Sequence, residues 1–220
     1  MPQALLDALF LHPDVHLAWC DDDIVILNVQ ADEYACVVDG GKMIRPGHSP
    51  GTVRVSDVLF AEEMLKAGLL CPHATNGRRS VPKMPPERAL EASRSPRRRD
   101  LFGAAATGFR SKRQFVRSSM ADLVSIPNLL TAQRGCAPLD RAGEMLAAFQ
   151  AVQPWLPDTG ECLQRAFMLR SYLHASDITT DWVFGVRTWP FLAHCWIQID
   201  DRVVGDTVER VSGFTPILVV

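Results

Sequence analysis

The sequence predicts an α+β protein, and three observations carry that prediction: three short β-branched runs near the start, helical spacing through the middle, and a late return to strands. The 220 residues, 47% apolar and 22% charged, suffice for one large domain or two small ones. The expected division is 1–72 for a small first domain, 73–100 for a linker and 101–220 for a second domain.

Val15-His16-Leu17-Ala18-Trp19-Cys20, Ile24-Val25-Ile26-Leu27-Asn28-Val29 and Glu33-Tyr34-Ala35-Cys36-Val37-Val38 are β-branched or aromatic runs separated by Asp-rich or polar breaks. That is the pattern of a three-stranded meander. A helix follows, capped by Ser56 or Asp57, with Val58, Phe60, Ala61, Met64 and Leu65 at three- and four-residue spacing. Gly68 is placed to end it, and Leu69 and Leu70 then cover the same core. A sheet of three strands leaves an open edge, and such an edge suits the capture of an extended peptide.

From Cys71 to about Asp100 the chain is rich in Pro, Ser and Arg, including Pro72, Pro82, Pro85, Pro86 and Pro96 with Arg78, Arg79, Lys83, Arg88, Arg94, Arg97, Arg98 and Arg99. This reads as a solvated basic spacer. Leu101 to about Val152 reads as largely helical, interrupted at Pro127, Gly135 and Pro138. Asp140 is the expected cap of the helix that carries Met145, Leu146 and Phe149. A helix from about Thr159 to His174 then gives way to strands at Trp182–Val186, Leu192–Ile199 and Arg202–Val208, expected as an antiparallel sheet packed on helices.

A formal net charge of −2 gives no field that would gather nucleic acid or an anionic membrane, so neither is expected as a partner. The N-terminus lacks the basic start and small-residue cleavage site of a secretory signal, and no apolar run approaches ~18 residues. A cytoplasmic protein is expected. The six cysteines form no C-x-x-C pair and no histidine is grouped with them at metal-ligand spacing, so reduced thiols, no metal and no cofactor are expected.

One cysteine stands apart. Cys162 follows Pro157-Asp158-Thr159-Gly160-Glu161, where Asp158 or Thr159 can cap a helix and Glu161 can reach back to its open N–H groups. In a first turn the helix dipole favours the thiolate, the nucleophilic form. Such a nucleophile needs a base near it in space, and His194 lies in the strand Phe191-Leu192-Ala193-His194-Cys195-Trp196-Ile197-Gln198-Ile199. Alternation sets Ala193, Cys195, Ile197 and Ile199 on one face, turned to the core, and His194, Trp196 and Gln198 on the other, where the Cys162 helix is expected to pack. The next strand supplies Asp206 to orient the imidazole, with Asp200 and Asp201 as turn residues. In a regular antiparallel pair, Asp206 shares the face of His194 only if the hairpin loop is odd in length, so a loop of Ile199, Asp200 and Asp201 is expected.

Cysteine at a helix start, histidine on a strand about thirty residues on and aspartate on the following strand resemble the transglutaminase-like branch of papain-type cysteine enzymes. More narrowly, Glu161-Cys162-Leu163-Gln164-Arg165-Ala166, Phe191-Leu192-Ala193-His194-Cys195-Trp196-Ile197 and Val204-Gly205-Asp206 resemble the leader peptidases, or B proteins, of lasso-peptide biosynthesis. The resemblance implies Cys162 as nucleophile, His194 as general base and acid, and Asp206 as its orienting carboxylate. It also implies a ribosomally made precursor peptide as substrate and an ATP-using, asparagine-synthetase-like cyclase as partner.

The first 70 residues resemble the winged-helix-like, PqqD-like leader-recognition domain of such pathways, in which the leader adds a strand beside the third strand under the last helix. That implies leader contacts at Glu33, Tyr34, Cys36, Val38, Phe60 and Met64. Gln153 and Gln164 stand as candidate oxyanion donors. Acyl or amide transfer on the same three residues, or precursor binding without hydrolysis, are the competing readings.

Overall fold

The computed structural model describes residues 9–49, 51–74, 84–93, 95–125, 139–156 and 160–220. Arg78, Arg79, Pro82, Lys83, Arg94, Pro127, Gly135, Cys136, Pro138, Asp158 and Thr159 lie outside them. The chain divides into two compact units. One comprises residues to Val81 with Val186–Leu192 and Thr215–Leu218, the other Pro82–Gly185, Ala193–Phe214 and Val219–Val220.

The first unit contains β1 (Leu9–Leu11), β2 (Val15–Cys20), β3 (Asp23–Asn28), β4 (Glu33–Val37), β5 (Ile44–Pro46), β6 (Thr52–Val55), α1 (Val58–Lys66) and β7 (Leu70–Cys71). β2, β3 and β4 form the meander in that order, antiparallel throughout. Around it stands a sheet that the sequence reading missed, in the order β5-β6-β1-β7. Its strands have two to four residues, too few to print a period. Between the sheets Leu9, Ile24, Ile26, Val53, Ala61 and Leu70 make one core. Asp57 caps α1 by accepting from the Phe60 N–H at 2.8 Å, and Gly68 ends it at φ +70°, its N–H donating to Leu65.

The remaining elements are β8 (Arg88–Ala89), α2 (Arg98–Phe115), α3 (Met120–Ser125), α4 (Leu139–Val152), α5 (Cys162–His174), β9 (Asp181–Arg187), β10 (Leu192–Ile199), β11 (Arg202–Val204), α6 (Val208–Val211) and β12 (Thr215–Val219), all in the second unit save the end of β9, the first residue of β10 and most of β12. The sheet order is β12-β9-β10-β11-β8. The expected strand Arg202–Val208 stops at Val204, and Val208 begins a helix instead. The spacer reading also needs correction. Arg88 and Ala89 pair in parallel with β11, Leu90 is buried, and α2 begins at Arg98. The paired residues are not prolines, so Arg88 and Leu90 keep the N–H groups that they donate to Asp201 and Val203.

At the start of α2, buried Asp100 takes two 2.7 Å bonds from the Arg141 guanidinium of α4, which hold its carboxyl below the usual range. Tyr172 of α5 donates to the Asp100 carbonyl at 2.8 Å. These contacts join α2, α4 and α5 into the layer from which the cysteine projects.

Candidate active site

Cys162 is the first residue of α5. Gly160 precedes it at φ +63°, and a Cβ there would lie 2.5 Å from Gln164 Oε1, so both conformation and space call for glycine. Glu161 occupies the N-cap position but makes no side-chain capping bond, contrary to expectation. Its carboxylate therefore does not engage the first-turn N–H groups, and the dipole of that end favours a thiolate at Cys162.

The sulfur has three donors around it. The Cys195 thiol hydrogen-bonds to it first, His194 second, and the Cys195 backbone N–H adds a further bond, which together outweigh burial and lower the Cys162 pKa to about 4. The Cys195 thiol moves the opposite way, raised by donating to its neighbour and by burial, so it stays protonated. His194 is raised to about 9, first by its bond to Asp206 and then by Cys162. Around neutral pH the pair is a thiolate beside an imidazolium.

His194 Nε2 donates to Asp206 Oδ2 at 2.6 Å, with both side chains less than a tenth exposed. This leaves Nδ1 as the ring nitrogen for the sulfur. Burial opposes the Asp206 charge, but bonds from His194 and from the Thr207 N–H at 2.9 Å, with Arg210 Nη1 3.6 Å away, hold its pKa down. The imidazole lies between aromatic neighbours, its centroid 5.3 Å from Phe214 and 6.2 Å from Trp196.

Asp206 reaches His194 by a route that the parity rule did not foresee. The hairpin pairs Ile197 with Val204, Gln198 with Val203 and Ile199 with Arg202, around a two-residue Asp200-Asp201 turn. The odd loop expected from the sequence is absent, and continued alternation would turn Asp206 to the far face. Instead β11 ends at Val204 and Gly205 enters the left-handed region at φ +75°. That reversal re-aims the next side chain, so alternation ceases where the carboxylate is needed. A Cβ on Gly205 would also lie 2.9 Å from Leu169 Cδ2.

The faces of β10 also differ from expectation. Cys195 and Ile197 line a cleft with Ala166 and Leu169 of α5, so the Cys162 helix packs on the Cys195 face. The His194 face is not polar either, because Trp196 joins Val183, Val203, Val211 and Val219 in a second apolar cluster. Cys162 meets His194 because it stands at the very start of α5. The cleft is open and is lined by Cys162, Gln153, Arg165 and Asp206 among others. This separates the two glutamines: Gln153 borders the cleft, whereas Gln164 is buried with its amide 3.8 Å from Met168 Sδ.

In the first unit, Glu33, Cys36 and Val38 are exposed and Tyr34 is half-buried. Met64 belongs to the core at 4% exposure, with Phe60 packed against that core. A docked peptide has no access to Met64, because its place in the helical stripe turns it inward. The sequence reading missed Cys195 as a partner of the nucleophile, having treated it as a core residue. Only its position beside His194 marked it.

Among the described residues, no group of three or more His, Cys, Asp or Glu is arranged to hold a metal ion, and no helix is long and apolar enough to cross a membrane. A 46-residue stretch, 21% of this chain and 22% of the other, is 35% identical to the microcin J25-processing protein McjB of Escherichia coli, so the match spans under a quarter of that relative. No solved structure matches. Residues 104–219 match the family described as the transglutaminase-like superfamily, a stretch that takes in Cys162, His194 and Asp206. With more than half of its length inside that family's pattern, the chain belongs to the transglutaminase-like superfamily.

Proposed function

We propose that this chain is a cytoplasmic cysteine peptidase that removes the leader from a ribosomally made lasso-peptide precursor, with Cys162, His194 and Asp206 as its catalytic residues. One observation carries the reading: His194 bonds to the Asp206 carboxylate at 2.6 Å and to the Cys162 sulfur, contacts that lower the thiol pKa and raise that of the imidazole. The local likeness to a protein named for processing microcin J25 supports a peptide as substrate.

The Cys162 thiolate attacks the last leader carbonyl, and the oxyanion is met by a backbone N–H at the start of α5 and by Gln153 from the cleft wall. His194 protonates the departing core-peptide amine through Nδ1. Water, deprotonated by His194, then hydrolyses the thioester, releasing the leader as a carboxylate with one proton to solvent and restoring the thiolate–imidazolium pair. Asp206 holds the ring and offsets its charge in both halves.

The first unit serves as a winged-helix-like, PqqD-like recognition domain, with the leader added as a strand at β4 along Glu33, Tyr34, Cys36 and Val38. The leaderless core passes to the ATP-dependent cyclase. Cys162→Ala should lower cleavage at least ~10⁴-fold while leaving precursor binding unchanged, as read by mass spectrometry of the products and by titration calorimetry. An active Cys162→Ala protein ends this proposal, and a product carrying a new amide in place of the carboxylate replaces hydrolysis by transfer.

A further inference from the structure

Exposed apolar surface gathers beside β4. Trp189 is 75% exposed, Phe191 44%, Leu192 43% and Val38 54%. Phe191 lies 5.9 Å from the ring of Tyr34 on β4. One buried carboxylate fixes the arrangement: Asp23 Oδ2 accepts from the Trp189 indole N–H at 2.7 Å, and its Oδ1 accepts from the N–H of Asp39, the residue after Val38, at 2.9 Å. The indole is thus held in place with most of its surface in water. Its ordering cost is met before any ligand arrives.

We propose that Trp189, Phe191 and Leu192, with Tyr34, form a docking patch for the precursor segment that adjoins the strand added at β4. The occupant is an extended peptide segment carrying a large apolar side chain. The inference rests on the peptidase reading above. β4 ends the order β2-β3-β4, so what it takes on is an extended backbone. Fixed aromatic rings beside an edge strand take apolar side chains of the same peptide. A second copy of this chain fits less well, because four such side chains offer on the order of 400 Å² against the ~800 Å² per partner of a stable interface.

The test uses the full chain and a fluorescein-labelled synthetic copy of the precursor peptide encoded beside it. In the Cys162→Ala background, Trp189→Ala and Phe191→Ser should each weaken binding tenfold or more, with Trp189→Phe intermediate. In the active chain the same changes should raise KM by that factor and leave kcat at saturation within twofold. A short peptide spanning only the scissile bond should be cleaved equally well by all of them, and unchanged melting temperatures establish folding. Wild-type cleavage with unchanged Kd and KM in the variants overturns the patch and leaves the peptidase reading standing. A wild-type chain that neither binds nor cuts the precursor overturns both. Conversion of a dimer to monomers by Trp189→Ala with KM unchanged makes the patch a self-interface and overturns the proposal.

Discussion

The hairpins β3–β4 and β10–β11 use the same pairing rules to opposite ends. β3 and β4 stay in register over five pairs, from Asn28 with Glu33 to Ile24 with Val37, and the alternation persists to the end of the strand. β10 and β11 hold register for three pairs, after which Gly205 abandons it. Regular pairing leaves a straight edge with side chains at even spacing, which suits a surface that accepts another strand. Bringing a carboxylate onto an imidazole required a departure from that regularity. A repeating backbone serves recognition, and a broken one places a reacting group.

His194→Ala breaks the comparison at its most sensitive point and should have the largest effect, lowering cleavage about 10³-fold or more with precursor binding intact. Gly205→Ala comes next. It combines a left-handed φ with a Cβ 2.9 Å from Leu169, and should cost ~1–3 kcal/mol in thermal unfolding while lowering kcat/KM by about 10²-fold as Asp206 swings away. Gly68→Ala is the matched control, with a left-handed φ of +70° and nothing within 4 Å of the added Cβ. It should cost ~1 kcal/mol and leave kcat unchanged. Equal losses of activity in the two variants would show that the turn at Gly205 is merely structural.

Asp206→Asn sharpens the electrostatics. The carboxylate raises His194 to about 9, so its loss should bring the alkaline limb of the pH–rate profile to lower pH. In the wild-type chain activity should fall below about 4, where Cys162 gains a proton, and above about 9, where His194 loses the one needed by the leaving amine. A profile whose alkaline limb does not move in the variant would contradict the pairing.

The smallest effect compares the thiols of the two regions. Cys36, exposed on β4, has a pKa raised by burial of its surroundings and by Asp23, while that of Cys162 is about 4. At pH 6 iodoacetamide should modify Cys162 about tenfold faster, the gain in thiolate fraction exceeding the loss of intrinsic nucleophilicity. Near pH 9 the order should invert, as peptide mapping of the alkylated protein will report.

The three meander strands, α1 with its Asp57 cap, and α5 were legible because each runs long enough for a period or a cap to register. β1, β5, β6 and β7 were not, since two to four residues carry no period and their pairing depends on partners distant in sequence. β12 contains Pro216, which ordinarily argues against a strand. It is tolerated because β12 stands at the edge of its sheet. At the site, the residue types and their order singled out Cys162, His194 and Asp206, and the structure brings the three side chains together. How they meet was not legible: the parity argument assumed that β11 continued, and a positive φ at one glycine was enough to undo it. Met64 shows the reverse failure, where a resemblance assigned a contact that helical spacing alone would have sent to the core.

The Asp200-Asp201 turn and Gly205 make up one device, since each is tolerable only in the presence of the other. Adding a single residue to that turn should misdirect Asp206, and replacing Gly205 in the lengthened chain should partly restore it. Descendants of this sequence are then free to drift in either of two combinations, a short turn with glycine or a long turn without it, and are barred from the intermediates.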